Sequence, residues 1–306
     1  MIEKIKIFIW TLLNLPKIRF RYWNTRKIRC GLHIMNSYDT IEQIITNNYS
    51  VCRFGDGELQ MLSHFMIGGN VSNFEVDTFQ NYDTQLAMRL KEIYQTKRED
   101  VLICLPFQFK DAAISTLKAR TFWEREWLGR MEDLQKLGLG KSFGDTNFTR
   151  FYLHRKDIND YPDYLKKLKA IWANRKVVIV EGELSRLGVG NDFFNTVISI
   201  ERIICPSTNA FSKYNEILSC VKKIDPSKLI LVALGHTATV LAYDLANLGY
   251  QAIDIGHIDI EYEWYKMGAK SKVAIPNKYV NEVSEGRINE AVSNEKYEKQ
   301  IIDRII

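Results

Sequence analysis

Proline and glycine are scarce in this 306-residue chain, at 6 and 17, so long flexible linkers have little to be built from. No repeat or low-complexity tract appears, and the length suits one large domain or two modest ones. The 5 cysteines (Cys30, Cys52, Cys104, Cys205, Cys220) are scattered, odd in number and without a CxxC pair, which argues against a disulfide framework or a zinc site and for a reduced, cytoplasmic setting. The longest apolar run, Ile7 to Leu15, is too short to span a bilayer, and no small-residue cleavage site follows it. The Walker pattern GxxxxGK[ST], the GxGxxG fingerprint and the GxSxG elbow are all missing, as is any Ser–His–Asp order.

Acid is nearly absent from the first 30 residues, where eight lysines and arginines face Glu3 alone. That segment carries a net +7, so the rest of the chain holds −2 of the overall +5. The basic character belongs to the N-terminus, and a general nucleic-acid surface is disfavoured. Residues 1–29 combine Trp10, Trp23 and aliphatic side chains with flanking cations. Two readings stand: a segment lying at an anionic membrane surface on the inner face, or a helix packed on the domain with its cations solvated.

What is present is ordinary for a soluble globular protein, with 46% hydrophobic and 26% charged residues, and its patterning is α/β. Tyr49–Arg53, Asp100–Leu105, Lys176–Glu181, Leu229–Leu234 and Gln251–Ile255 are apolar runs of strand length. Between them, Glu58–Phe65, Ala112–Leu137 and Thr237–Leu248 carry helical spacing. Continuous apolar strands alternating with helices predict a Rossmann-like, mostly parallel sheet covered by helices on both faces. Division of the chain follows as a basic segment over 1–30, a single catalytic domain over 31–282, and a polar, helical tail over 283–306.

In such sheets, ligands gather where loops leave the carboxyl ends of strands. Polar, glycine-bearing stretches follow Arg53, Val180, Leu234 and Ile255. The first, Arg53-Phe54-Gly55-Asp56-Gly57-Glu58, holds two acids two residues apart, which on an extended segment face one side and suit Mg²⁺ or Mn²⁺; the alternative is a solvated turn. Arg53 beside them adds a phosphate clamp. The second, Glu181 to Asp192, offers Ser185, Arg186, Gly188, Gly190 and Asn191 ahead of a helix start, an anion site or a plain connection capped by Asn191. The third places Thr237 after Gly235-His236, as phosphate cradle or helix cap. The fourth alternates His257, Asp259, Glu261 and Glu263, which on an extended segment share one face as metal ligands, a general base or acceptors for hydroxyls; an exposed edge strand explains them too. His33, His64 and His154 stand alone and read as structural or surface residues.

Taken in order, RFGDGE, EGELSRLGVGND, CPSTNAF, LGHTATVLAYDLANLGYQAIDIGHID, IEYEW and PNKYVNE resemble the GT-D-type glycosyltransferases, bacterial enzymes once catalogued as a domain of unknown function. The resemblance spans roughly residues 35–282. It implies a Rossmann-like fold distinct from GT-A and GT-B, a nucleotide-sugar donor (typically a UDP-sugar), and a divalent metal on a D-x-E motif, matched here by Asp56 and Glu58. It further implies that the EGELSRLGVGND loop and Asn209 shape the donor pocket. The acceptor expected with it is a glycan, glycoprotein or lipid-linked species. From the chemistry of sugar transfer, which builds charge on a leaving diphosphate and needs a base for direct attack, Arg53 and Arg186 are expected near the diphosphate and His257, Asp259 and Glu261 are the candidates for acceptor recognition and base. A metal-dependent phosphohydrolase and a non-catalytic nucleotide-binding protein at the membrane are the rival readings.

Overall fold

The computed structural model describes residues 2–69, 79–287 and 293–306, and the side chains of residues 2–12 stand outside that description. Eight strands form one sheet: β1 (Ser50–Arg53), β2 (Val101–Leu105), β3 (Gly144–Asp145), β4 (Lys176–Gly182), β5 (Ser199–Cys205), β6 (Leu229–Ala233), β7 (Ala252–Asp254) and β8 (Ile301–Arg304). Their order is β3-β2-β1-β7-β6-β4-β5-β8, and every pairing is parallel. The expected class of fold is the one observed.

Parallel strands need covering on both faces, and the two-residue period of the strands supplies it. Cys52, Ile103, Val178, Val180, Ile230, Val232 and Ala252 point into one core. Covering it are α4 (Asp56–Met66), α5 (Thr84–Tyr94), α6 (Leu117–Leu137), α8 (Tyr214–Val221) and α9 (His236–Asn247). Their sequence neighbours Val51, Leu102, Cys104, Val177, Ile179, Leu229, Leu231 and Ile253 point into the other. There α3 (Ser37–Asn47), α7 (Tyr161–Ala170) and α10 (Ile258–Lys266) close the face, with Trp172, Phe193 and Phe194 packed ring on ring. The chain begins in α1 (Ile2–Asn24) and α2 (Arg26–Cys30), and α1 lies outside α6 as an extra layer.

Two local expectations differ. The acidic stretch 258–264, read as extended from its alternation, is helical in α10. Six of its nine residues are buried, Asp259 and Glu261 among them, so acids on the buried side blur the apolar stripe a helix would otherwise show. The tail expected to be helical contributes only the short α11 (Glu295–Gln300) before turning into β8, which pairs with β5 at the sheet's edge; residues 288–292 of that tail lie outside the described set.

Candidate active site

The strands β1 and β7 are neighbours, paired at Val51 and Ile253, but their following segments part company. From β1 the chain runs into α4, whose Leu59, Met61 and Leu62 join the first core. From β7 it runs into α10, whose Ile258 and Tyr262 join the second. Chains leaving adjacent parallel strands toward opposite faces open a crevice at the carboxyl ends, the place where such sheets bind ligands.

Arg53 ends β1 at the floor of this crevice. Its Nη2 donates to Asp254 Oδ1 at 2.9 Å, and its Nη1 donates to Thr149 Oγ1 at 2.7 Å and to the Thr146 carbonyl at 3.3 Å. Gly256 stands at φ +44°, and a Cβ there would fall 1.9 Å from Arg53 Nη2, so the guanidinium fits only because this position has no side chain. Asp254 is fully enclosed, and burial raises its carboxyl to about 6 even with Arg53 pulling the other way.

Asp56 and Glu58 do not lie on an extended segment. They occupy the first turn of α4, where residues two apart point in different directions. Glu58 Oε2 accepts the Gly55 amide at 2.9 Å, the reciprocal half of a capping box. Asp56 is open to solvent yet set deep among protein groups, as a residue in a cleft is. Desolvation and the Glu58 charge raise its carboxyl, while Arg150 and His236 act in the opposite sense. The His236 ring lies against Gly57, where a Cβ would come within 2.5 Å of Nε2. The glycine therefore admits an imidazole from the chain itself.

Arg150, which the sequence reading passed over, binds Glu282 Oε1 at 2.8 Å, and Lys272 Nζ reaches the same oxygen at 3.0 Å. His257 Nδ1 stands 3.6 Å from Glu282 Oε2. Desolvation first, then Arg150, hold His257 down at about 4, so this imidazole is neutral at ordinary pH. Glu282, ringed by Arg150, His257 and Lys272, is held below the usual carboxylate range despite its burial. Arg150 follows the two-residue β3, too short to leave a periodic pattern, and Glu282 belongs to a segment with neither helical nor strand spacing; only its place in PNKYVNE marked it.

The remaining predicted residues divide. Asn209 and Thr237 meet through Gln80, whose Nε2 donates to Asn209 Oδ1 at 2.7 Å and whose Oε1 accepts from Thr237 Oγ1 at 3.4 Å. Thr239 Oγ1 donates to the Arg53 carbonyl at 2.8 Å, tying α9 to β1. Asp259 and Glu261, expected to face an acceptor, are each buried and engaged by the chain. Asp259 takes Asn191 Nδ2 at 2.8 Å and Lys278 Nζ at 2.5 Å, with Glu263 one turn on sharing both partners. Glu261 Oε2 accepts the amides of Tyr152 and Leu153 at 3.0 and 3.3 Å. Both serve to hold loops in place.

Arg186, expected beside Arg53, instead has its guanidinium 5.1 Å from the centre of the Tyr297 ring, in the layer where Arg202 approaches the same ring at 4.9 Å. Gly188, Gly190 and Asn191 line a cleft of about 320 Å³ with Arg202 and Tyr297, and no residue of the Arg53–Asp56 crevice takes part in it. Ser185 sits in the turn after β4, its amide bonded to the Gly182 carbonyl at 3.0 Å. Among the described residues, no group of three or more His, Cys, Asp or Glu side chains is placed to hold a metal ion.

The chain resembles known proteins over most of its own length. Residues 51–283 match the family model for glycosyltransferases of the GT-D fold. The glycosyltransferase GlyD of Streptococcus pneumoniae is 41% identical over 269 residues, 88% of this chain and 32% of that protein. The probable glycosyl transferase Gly of Streptococcus gordonii is 35% identical over 272 residues, 89% of this chain and 38% of its own length. Among solved structures, the highly conserved domain of unknown function 1792, described as having a distinct glycosyltransferase fold, superposes with a TM-score of 0.84 at 38% identity, covering 93% of this chain and 99% of that one. A glycosyltransferase of the same class from Streptococcus sanguinis gives 0.80 at 34% identity, covering 90% and 100%. The chain belongs to the GT-D-fold glycosyltransferase family. It spans about a third of the length of the curated relatives it matches.

Proposed function

We propose that this chain transfers a sugar from a nucleotide-sugar donor, a UDP-sugar, to a glycan, glycoprotein or lipid-linked acceptor in the β1–β7 crevice, with Mn²⁺ or Mg²⁺ at Asp56 and Glu58. The observation that carries the reading is the pairing of fixed cations, Arg53 and Arg150, with a solvent-open carboxylate, Asp56, at one topological break.

Breaking a glycosyl–phosphate bond leaves negative charge on a nucleoside diphosphate, and donors already fixed in place stabilise it without reorganising. Arg53 is held by Asp254 and Thr149, and Arg150 by Glu282, so neither guanidinium has to be ordered when the donor arrives. Desolvation first, then the Glu58 charge, raise the Asp56 carboxyl against the pull of Arg150 and His236, and a divalent ion held by the two acids would offset that repulsion. Two carboxylates with the other ligands drawn from phosphate and water are an ordinary arrangement for Mg²⁺. When bound, the ion would neutralise charge on the leaving diphosphate. On the acceptor side, the loop-holding roles of Asp259 and Glu261 leave His257, neutral and beside Arg150 and Glu282, as the group of the three that receives a hydrogen bond from an acceptor hydroxyl.

Thermal shift with a panel of nucleotide-sugars, with Mn²⁺ or with a chelator, tests the reading. A UDP-sugar should raise the melting temperature only with the metal, and Asp56→Ala should remove the rise. Phosphate release without sugar transfer to any acceptor would transfer the case to a phosphohydrolase.

A further inference from the structure

Among the described side chains, α1 and the α2 that follows it pack on the domain by one face. On that face Tyr22 Oη donates to the Gln108 carbonyl at 3.2 Å and accepts the Ala112 amide at 3.1 Å. Thr25 Oγ1 accepts from Trp127 Nε1 at 2.9 Å, and Arg29 Nη1 donates to the Lys110 carbonyl at 2.8 Å. Ile18, Tyr22, Thr25 and Arg29 are buried at the spacing of a helical stripe.

On the opposite side, Leu13, Phe20 and Trp23 are 77%, 64% and 62% exposed. At 100° per residue these three fall within an arc of about 80°, one stripe running along the outer face. Lys17 borders this stripe, and Arg21 of α1 and Arg26 and Lys27 of α2 are exposed close by. No acid occurs between residues 4 and 38. The neighbouring α6 adds exposed Leu117, Phe122, Lys118 and Arg125.

We infer that the outer face of α1 docks the protein on an anionic lipid surface. Large apolar side chains, an aromatic ring that seats at the headgroup level, and a surrounding field of cations are the combination such surfaces bind. Charge selects this occupant over a second copy of the chain. Two α1 faces brought together would set like charges against each other with no acid on either to offset them, whereas phosphate headgroups complement them. No described helix is long and apolar enough to cross a membrane, so the contact is peripheral. The inference does not depend on the reaction in the crevice.

Flotation of the full chain with vesicles of equal phosphatidylglycerol and phosphatidylcholine, against phosphatidylcholine alone, decides it. Binding should favour the anionic vesicles by about tenfold or more and weaken with salt. Phe20→Ser with Trp23→Ser should lower it about tenfold, and Lys17→Glu with Arg21→Glu likewise, with ellipticity unchanged. Should the paired serine variant lose ellipticity, Phe20→Ser alone carries the same test. Equal binding to both vesicles, no binding, or binding indifferent to these substitutions overturns the inference. So does a concentration-dependent dimer that the serine variant dissolves, which would assign the face to a second copy.

Discussion

Two glycine-bearing loops leave the carboxyl ends of parallel strands, one after β1 and one after β4, and they treat charge in opposite ways. The loop after β4 closes its charges among themselves. Buried Glu181 takes Arg202 Nη1 at 2.5 Å and the Leu187 amide at 2.7 Å, while Arg202 also donates to the Leu187 carbonyl at 2.9 Å and to Gln300 at 2.8 Å. Further along, Asn191 is shared between Asp259 and Glu263. The loop after β1 leaves Asp56 open to solvent, its carboxyl raised by desolvation and Glu58 while the Arg150 charge pulls the other way. Similar sequence signals thus made a scaffold in one place and a candidate site in the other. What separates them is whether the partners of the charges lie within the chain.

The comparison breaks first if the β4 loop proves functional. Arg202→Leu leaves Glu181 a buried acid without its ion-pair partner, held by the Leu187 amide alone, which should cost about 3–5 kcal/mol, a fall in melting temperature of roughly 10 °C. Transfer activity per folded molecule should stay within about twofold, since a scaffold residue touches no charge that develops in the reaction. A stable but inactive variant would place the donor against that loop after all.

Next in size is Glu58→Gln. Glutamine serves in a capping box as glutamate does, so α4 keeps its start and the protein its melting temperature. Turnover should nonetheless drop by about 10²- to 10³-fold if the carboxylate holds charge in the transition state. Full activity would reduce Glu58 to a cap and leave the crevice with Asp56 alone.

The smallest effect is read from pH. His257 falls from an ordinary 6.5 to about 4 in the folded protein, so the native state resists its protonation. A depressed native value gives stability that is present above 6.5 and lost as pH falls through about 4. His154 has the same sign, and Asp254, raised to about 6, has the opposite one. The difference between wild type and His257→Gln isolates the imidazole. It should shrink on acidification from 6.5 toward 4 by at most about 3 kcal/mol. A difference that does not change with pH would mean the ring is not held neutral by its surroundings.

Most of the sheet was legible because buried parallel strands announce themselves. KVVIVE became β4, DVLICL β2, LILVAL β6 and QAIDI β7. The helix read from Thr237 begins one residue earlier, at His236, and the 112–137 pattern resolves into a short 3₁₀ turn at Ala112–Ile114 followed by α6. Where reading failed, a polar group had been buried and paired by a residue remote in sequence. Asp259 and Glu263 are bound by Lys278, and Glu261 by the amides at 152 and 153, so acids that looked available were already engaged. Arg53 and Asp56 were visible as chemistry in RFGDGE. Arg150, Asp254, Lys272 and Glu282 were not, since only the fold brings residues 53, 150, 254 and 282 together. Arg186 had the right residue type in a glycine-rich loop, and nothing local showed that Tyr297 would stack on it.

The pairing of β1 with β7 joins Val51 to Ile253, and the crevice opens along that seam. Loops that long are closed late and slowly, because the entropy of bringing the ends together must be met before any contact repays it. β1 can find β2 soon after synthesis, but it has no second neighbour until four-fifths of the chain has been made. The pocket is accordingly a product of the final stage of folding. A ligand bound across it would recognise only finished molecules and would hold them closed against unfolding.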